Sequence, residues 1–385
     1  MPSINKTIHV LLPIWMAVSS FTSDDVTLLA RAAQARATLL STKKISVRQE
    51  SIFQDLINAY REDDTFENNR ILVSFQDSTH SQDELAFGSL LSLFWEEAFK
   101  RHFTGSHHLV PVLDSYSEED LFQILGRVLV HGLILENYVP LRFSPACLSF
   151  ILANACSYQL SLSSFYQVLS KTEREVLLAS LAEAKLGVDS FSPRVEKSLK
   201  IVLGSYGCKS LPPPYDLDGC VPNIARSFLL HQPYWPLCQI EETFCQSRLD
   251  MSGITENDIM QVYKVLSYDV PSIMQRTIYT HSSADDSETT ELKVKVKFEE
   301  YLHKLSNNAV QRLLQQWCGY NCLCVKQLHV TFTGDQELVQ MFNSREATLI
   351  LPSACTSLEE LSQLISGHMS TASKTDTTSN WEYTL

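Results

Sequence analysis

The sequence predicts an α+β fold, in which a long and mostly helical region precedes a smaller unit of mixed helix and strand. The first observation behind this prediction is that apolar side chains recur at helical spacing through most of residues 25–280. The second is that residues 293–369 combine helical patterns with two short strand-like segments. Between the two parts, residues 281–291 are polar and cannot build a core, which predicts a linker.

The first elements follow from local patterns. Residues 25–41 are rich in Ala and Leu with polar residues at intervals, which predicts an amphipathic helix. Residues 44–53 predict a short strand that runs into a helix, and Arg70–Phe75 is a strand by its β-branched and aromatic content. Leu85–Phe103 predicts a largely buried helix because its apolar residues recur at helical spacing.

The middle of the chain is predicted to be mainly helical. Ser117–Asp120 and Thr255–Asp258 both match the pattern that starts a helix, a hydroxyl followed by acids in the first turn. Residues 143–169 and 172–186 are predicted helices, the second charged and at the surface. Residues 212–222 contain four prolines and are therefore predicted to be a non-helical joint.

The C-terminal unit is predicted to contain two strands and several helices. Phe298–Leu302 and Ala309–Leu314 have helical patterns, whereas Leu328–Phe332 and Ala347–Leu351 have strand patterns. A final helix is predicted to start at Ser357, whose hydroxyl precedes two glutamates.

The two ends of the chain are predicted to lie outside the two main regions, the N-terminal end as an opening strand or the remnant of a longer chain. Residues 1–24 form an N-terminal extension, whose apolar run Ile8–Val18 is too short to span a bilayer and is interrupted by Pro13. Residues 370–385 are rich in Ser and Thr and are predicted to be a disordered tail. No membrane partner is expected.

Composition narrows the function. The chain has 385 residues and a net charge of −13, with 44% hydrophobic and 19% charged residues, so it has a globular composition. Because phosphate contacts need clustered Lys and Arg, this acidic balance argues against a nucleic-acid partner. Ten scattered cysteines predict reduced thiols in a cytoplasmic or nuclear protein rather than a disulfide scaffold.

Metal and cofactor sites are not predicted. Cys318, Cys322 and Cys324 form the one cysteine cluster of the sequence, but three thiols without a nearby fourth ligand fall short of a zinc site. His131 lies on an apolar helical pattern, which favours a core or surface histidine over a catalytic base. We therefore expect no cofactor.

The stretch from Met341 to Leu361 resembles the last strand and helix of the catalytic lobe of HECT-type ubiquitin ligases. In that family a Thr-Cys pair lies a few residues before a Leu-x-Leu-Pro strand end, and the cysteine carries ubiquitin as a thioester. Here Leu349–Pro352 supplies the Leu-x-Leu-Pro, and the position of the family's cysteine holds Arg345.

Further stretches resemble the same family in the same order, over roughly residues 25–370. The likeness is nearest to the divergent group of G2/M-phase-specific ubiquitin ligases. The matching stretches are residues 45–48, 71–75, 122–132 with 140–141, 299–302, 313–319 and 328–332.

This resemblance implies a HECT-like bilobal architecture. It places a helical N-lobe at residues 25–280, a hinge at 281–292 and a small α/β C-lobe at 293–369, with a module that binds the ubiquitin-conjugating enzyme at about 185–240. Ubiquitin and a conjugating enzyme are the partners that the resemblance implies. The protein substrate is not indicated.

Two regions depart from the family pattern. The family has two glycines and an Arg-Glu pair after an acidic pair, whereas residues 83–94 keep only the acidic pair. Glycine pairs allow backbone shapes that other residues do not, so this corner must be built differently. Residues 185–240 are also short for a module that binds the conjugating enzyme.

Arg345 removes the expected chemistry. A thiolate both attacks a thioester and leaves from one near neutral pH, whereas a guanidinium stays protonated and does neither. The sequence thus predicts a pseudo-ligase that belongs to ubiquitin transfer by descent and works by binding. One alternative is an active transferase that uses another cysteine, such as Cys355, and a second is an interaction module without catalysis.

Overall fold

The protein is described by a computed structural model that combines helices with small sheets, which confirms the α+β class. The structure describes residues 26–39, 41–75, 84–85, 87–113, 118–281, 288–334, 339–342, 347–353, 355 and 357–375.

The α-helices dominate the described residues. They are α1 (Thr27–Ala37), α2 (Ile52–Glu62), α3 (Phe87–His102), α4 (Leu121–Glu136), α5 (Pro145–Ala153), α6 (Tyr158–Val168), α7 (Lys171–Ala184), α8 (Pro193–Ser205), α9 (Pro214–Arg226), α10 (Tyr234–Gln246), α11 (Glu256–Leu266), α12 (Val270–Arg276), α13 (Glu288–Lys304), α14 (Asn307–Cys318) and α15 (Leu358–Thr375). None of these helices is both long and apolar enough to cross a bilayer.

The strands of the described residues form three small sheets. They are β1 (Ser41–Val47), β2 (Asn69–Phe75), β3 (Glu84–Leu85), β4 (Phe103–Gly105), β5 (Leu109–Pro111), β6 (Thr277–Thr280), β7 (Leu328–Thr333), β8 (Gln340–Phe342) and β9 (Thr348–Pro352). Strand β2 pairs parallel with β1 and antiparallel with β3, and β4 pairs with β5 as a hairpin. The third sheet has the order β6-β7-β9-β8, with β8 antiparallel to β9.

The core of the helical region surrounds α3 and α4, whose apolar residues cover most of the helix surface. In α3, Phe94 and Trp95 are almost completely buried, and Phe122 and Leu125 of α4 are fully buried. A helix that is apolar on nearly all sides belongs in a protein interior. These two helices therefore form the centre around which α1, α2 and α10 pack.

The C-terminal unit has a core of its own, built by the third sheet with α13, α14 and α15. Trp317 of α14 and Phe298 of α13 are fully buried and pack edge to face, with ring centroids 5.9 Å apart. Leu349 and Leu351 point from β9 into the same core, and Leu361 of α15 closes it. Leu349 and Leu351 are buried while Ile350 between them is half-buried, as expected of a strand with one face in a core.

The predicted non-helical joint at residues 212–222 is wrong, because α9 begins at Pro214 and includes Pro222. Proline is tolerated in the first turn, where a backbone N–H has no helical partner. Pro222 does remove an interior hydrogen bond, at a cost of about 3 kcal/mol. Burial of Leu217, Val221 and Pro222 itself against neighbouring helices offsets that cost.

Two helix predictions differ in detail. The single helix expected at residues 143–169 is divided into α5 and α6, because Asn154 adopts a left-handed conformation (φ +47°) that ends α5. Ser117 lies outside the described residues. Asp120, at the start of α4, does not cap the helix with its side chain but accepts hydrogen bonds from Arg61.

The predicted hinge and tail are partly helical. Helix α13 begins at Glu288, inside the hinge predicted at 281–292, and residues 282–287 lie outside the described residues. Glu291 is buried and bonded to His281, so it does not belong to a solvated linker. Strand β6, assigned above to the helical region, pairs parallel with β7 in the third sheet.

The predicted disordered tail at 370–385 is wrong at its start. Helix α15 continues through residue 375, and its apolar stripe, with Leu361 and Ile365 buried, anchors it against α13 and α14. Residues 376–385 lie outside the described residues, as does the N-terminal extension at 1–24.

Candidate functional site

The position that the resemblance assigns to a nucleophile is Arg345, which lies outside the described residues. Ala347, two residues further along the chain, is buried and has φ +43°, a left-handed conformation that non-glycine residues seldom adopt. The Ala347 carbonyl accepts hydrogen bonds from the indole N–H of Trp317 (2.8 Å) and the backbone N–H of His329 (3.0 Å). These two bonds fix the chain at the entrance to β9.

The Leu-x-Leu-Pro stretch forms most of β9. This strand lies between β7 and β8, with Leu349 opposite Val330 on one side and Met341 on the other. Pro352 is the last residue of the strand, where its missing N–H costs little. The predicted strand end is thus where the motif places it.

Cys355, the fallback nucleophile, lies in the turn between β9 and α15 and is 5% exposed. Its Sγ is 3.4 Å from the Ser357 carbonyl oxygen and 3.6 Å from Glu360 Oε2, and Lys297 Nζ donates to its backbone carbonyl (2.9 Å). Burial, and then the negative charge of Glu360, raise the pKa of the Cys355 thiol. A thiol of raised pKa is a poor nucleophile near neutral pH.

A surface groove of about 560 Å³ lies beside this turn. One side of the groove is a face of α13, on which Leu292 and Val296 expose about half of their side chains. The other side is the start of α15. Lys293 and Lys297 border it. Because Glu300 and Ser357 also line it, the groove can hold an apolar side chain beside polar groups.

Gly126 and Arg127 lie in residues 122–132, one of the stretches that resembles the HECT family, and both have structural roles in the fold. A Cβ on Gly126 would lie 2.4 Å from Thr243 Oγ1 and 3.0 Å from the Cα of Ile240, so glycine allows α4 and α10 to approach closely. The guanidinium of Arg127 donates to the carbonyls of Tyr60 (2.6 Å) and Asp63 (2.7 Å). It also forms an ion pair with the carboxylate of Glu67.

His131 is a core histidine, as its position on an apolar helix indicated. Its Nδ1 is 2.6 Å from the Tyr60 hydroxyl, and its Nε2 is 2.8 Å from the Asn69 carbonyl oxygen. Because a carbonyl only accepts, the proton lies on Nε2 and Tyr60 donates to Nδ1. Burial lowers the pKa of His131 to about 4, so this imidazole is neutral and fully bonded rather than a catalytic base.

The cysteine cluster is divided by the structure. Cys318 ends α14 and donates to the Leu314 carbonyl, while Cys322 and Cys324 lie in the following turn with their Sγ atoms 3.0 Å apart. In the part of the chain that the structure describes, no three His, Cys, Asp or Glu side chains are grouped as metal ligands would be.

One feature that the sequence did not indicate is the turn at residues 319–326, which inserts between the C-terminal unit and the helical core. Asn321 accepts a hydrogen bond from the Tyr138 hydroxyl (3.0 Å), and its backbone N–H donates to Ser92 Oγ (3.2 Å). The Tyr320 ring fills the space left by Gly88, where a Cβ would lie 1.8 Å from the ring. No motif marks this contact, because it joins residues at least 183 positions apart.

Residues 185–240, the predicted module for a conjugating enzyme, comprise α8, α9 and the start of α10. Several large side chains of this segment are exposed, led by Tyr215 at 86% and Leu186 at 79%. Aromatic residues, tyrosine among them, are enriched at protein interfaces. The segment therefore offers contact surface for a protein partner.

Comparison with known proteins adds no assignment. No family model matches the chain, and no curated protein is significantly similar to it.

Proposed function

We propose that this chain is a HECT-type ubiquitin-ligase homologue that lacks the thioester-forming cysteine and acts by binding. The observation that carries the proposal is the Leu-x-Leu-Pro strand end at Leu349–Pro352 with Arg345 at the cysteine position. The binding partner would be ubiquitin, a ubiquitin-conjugating enzyme or an active ligase.

The order of the elements supports this proposal. Helices α1–α12 precede a four-stranded sheet whose last three strands accompany α13, α14 and α15. A large helical lobe followed by a small α/β lobe is the bilobal architecture that the resemblance implies. The boundary would then lie just before β6 rather than at residue 281, since β6 pairs with β7.

The chemistry of the described residues supports binding over catalysis. Cys355 is buried beside Glu360, which raises its thiol pKa, whereas transfer through a thioester needs a thiolate. Exposed Tyr215 and Leu186 and the groove beside α13 instead offer surfaces on which a protein partner can bury apolar area.

The central test mixes the full chain with a conjugating enzyme charged with ubiquitin and resolves the products on gels without reducing agent. We expect no adduct that a reducing agent removes. The Arg345→Cys variant should form some adduct if the rest of the machinery persists. An adduct on the natural chain that disappears in Cys355→Ala would overturn the proposal in favour of an active transferase.

Binding is tested separately with immobilised ubiquitin and with uncharged conjugating enzyme. We expect measurable binding of at least one of them, and if the 185–240 segment is the contact, Tyr215→Ala should weaken capture of the enzyme severalfold. Leu113→Ala is the matched control, since it also truncates an exposed apolar side chain and lies outside both the 185–240 segment and the groove. No capture of either protein would favour an interaction module unrelated to ubiquitin.

A further inference from the structure

The turn at residues 319–326 holds two thiols in an arrangement suited to a disulfide. The Sγ atoms of Cys322 and Cys324 are 3.0 Å apart, and both cysteines are free. The backbone N–H of Cys324 donates to the carbonyl of Cys322 (3.0 Å), a three-residue turn that brings the two side chains together. The backbone thus already has the reversal that a bond between these sulfurs needs.

Hydrogen bonds to the helical region hold the middle and the end of this turn in place. The backbone N–H of Leu323, between the two cysteines, donates to the carbonyl of Leu266 (3.0 Å). Arg276 donates to the carbonyls of Leu323 (2.7 Å) and Val325 (2.8 Å). Because these bonds hold the middle and the end of the turn, the two sulfurs stay close, which raises their effective concentration.

The two thiols differ in access. Cys322 is fully buried, whereas Cys324 is partly exposed. The Cys324 Sγ lies 3.8 Å from the Asn137 carbonyl oxygen, and burial raises the pKa of this thiol. Cys318, four residues before Cys322, is buried at the end of α14 with its thiol directed to the Leu314 carbonyl (3.1 Å).

We propose that Cys322 and Cys324 form a reversible disulfide, with glutathione disulfide as the oxidant. The Cys324 thiol first loses its proton to solvent, a step that its raised pKa makes slow near neutral pH. The thiolate then attacks one sulfur of glutathione disulfide and releases one glutathione thiolate, which leaves a mixed disulfide on Cys324. The Cys322 thiol then loses its proton to solvent, attacks the Cys324 sulfur and releases the second glutathione thiolate. Two protein thiols are oxidised and one glutathione disulfide is reduced to two glutathiones.

The oxidised turn would act on the contact between the C-terminal unit and the helical core. Tyr320 and Asn321, directly before Cys322, hydrogen-bond to Glu136, Tyr138 and Ser92. A covalent bond that closes the turn restricts the residues making this contact. Disulfides in short, partly exposed turns are of the labile kind that respond to the redox state of the cell.

The test incubates the reduced full chain with glutathione buffers of increasing oxidised fraction, blocks free thiols with N-ethylmaleimide and analyses the tryptic peptide of residues 313–326 by mass spectrometry. This peptide contains Cys318, Cys322 and Cys324. Reduced, it should carry a maleimide on all of them. After oxidation, it should carry a maleimide on Cys318 alone. Its mass should be about 2 Da less than that of the reduced peptide with one maleimide, because the disulfide removes two hydrogens.

Variants identify the pair. Cys318→Ala should still form the disulfide and leave no labelled thiol in the peptide, whereas Cys322→Ser should stop at the mixed disulfide on Cys324. Labelling of both Cys322 and Cys324 in oxidised Cys318→Ala would overturn the proposal.

A comparison with the unfolded chain tests the role of the turn. Because the fold holds the sulfurs together, half-oxidation in native buffer should need at least about tenfold less glutathione disulfide than in concentrated urea. Equal midpoints in the two conditions, or three labelled thiols at every ratio, would also overturn the proposal.

Discussion

Arg127 shows how a single half-buried side chain can organise the short connection between a helix and a strand. Its guanidinium binds the carbonyls of Tyr60 and Asp63 and the carboxylate of Glu67, and thereby fixes the chain between α2 and β2. The five donors of a guanidinium suit this task, whereas lysine offers a single point charge. Arg127 lies in a stretch that resembles a family motif, and its hydrogen bonds give it a role in the stability of the fold.

At the same scale, His131 makes stability depend on pH. Its pKa is lowered from 6.5 to about 4 in the folded protein by burial, so the unfolded chain takes up a proton between these values while the folded protein does not. The contribution of His131 is therefore fully present above pH 6.5 and is lost as the pH falls toward 4. The loss amounts to at most about 1.4 kcal/mol per pH unit.

Urea unfolding midpoints at several pH values check this expectation. Between pH 6.5 and 5, the decrease in stability should be shallower for His131→Gln than for the natural chain, because the glutamine does not titrate. Parallel curves for the two proteins would show that His131 is not the group responsible.

At the scale of elements, the crossing of α4 and α10 depends on Gly126. The Gly126→Ala variant places a Cβ against the side chain of Thr243 and the backbone of Ile240, of which the backbone cannot move easily. We expect a loss of about 1–3 kcal/mol in the free energy of unfolding from overpacking. Chemical denaturation measures it.

Gly204 in α8 provides the matched control, since a Cβ there meets nothing within 4 Å. Gly204→Ala should be neutral or stabilise the protein by up to about 1 kcal/mol through helix propensity. If both alanine variants behave alike, the close approach of α4 and α10 does not explain the glycine at 126.

The elements themselves were largely predictable from the sequence where their patterns are strong. Helix α3 and strands β2, β7 and β9 appear as predicted, because apolar spacing alone determines which face can be buried. The prediction for Pro222 failed because a local rule about proline took no account of the packing that offsets it. Asn154 similarly divides α5 from α6 without a Gly or Pro signal in the sequence.

At the scale of the whole molecule, the turn at residues 319–326 connects the C-terminal unit to the helical core through α3. Gly88 of α3 leaves room for the Tyr320 ring, which could not occupy its place beside a Cβ. In Gly88→Ala the ring must move away from α3, and the hydrogen bonds of Asn321 with Ser92 and Tyr138 should weaken with it.

Hydrogen–deuterium exchange of the peptide at residues 313–326 measures this effect. We expect faster exchange in Gly88→Ala, since its amide protection depends on docking against α3. Gly219→Ala in α9 is the control, because a Cβ there makes only an ordinary contact, 3.6 Å from Asp216 Oδ1. Unchanged exchange in both variants would mean that the turn does not depend on Gly88.

The candidate site was predicted only in part, because local sequence patterns do not show which distant segments pack together. The Leu-x-Leu-Pro strand end and the cysteine position can be read from adjacent residues, and β9 lies where they place it. The environment of Cys355 could not be read, because Lys297 and Glu360 reach it from two different helices. Nor could the sequence indicate that Cys322 and Cys324 face each other in a turn fixed by Arg276.

By itself, the sequence determined the α+β class, most of the strong helices and strands, and the absence of a cysteine at position 345. These properties depend on residues close together in the chain, whose spacing decides which side chains share a face. Only the tertiary structure decided that β6 joins the C-terminal sheet, that Gly88 receives Tyr320 and that Cys355 is buried beside a carboxylate. Each of these depends on packing between distant segments, which no local pattern specifies.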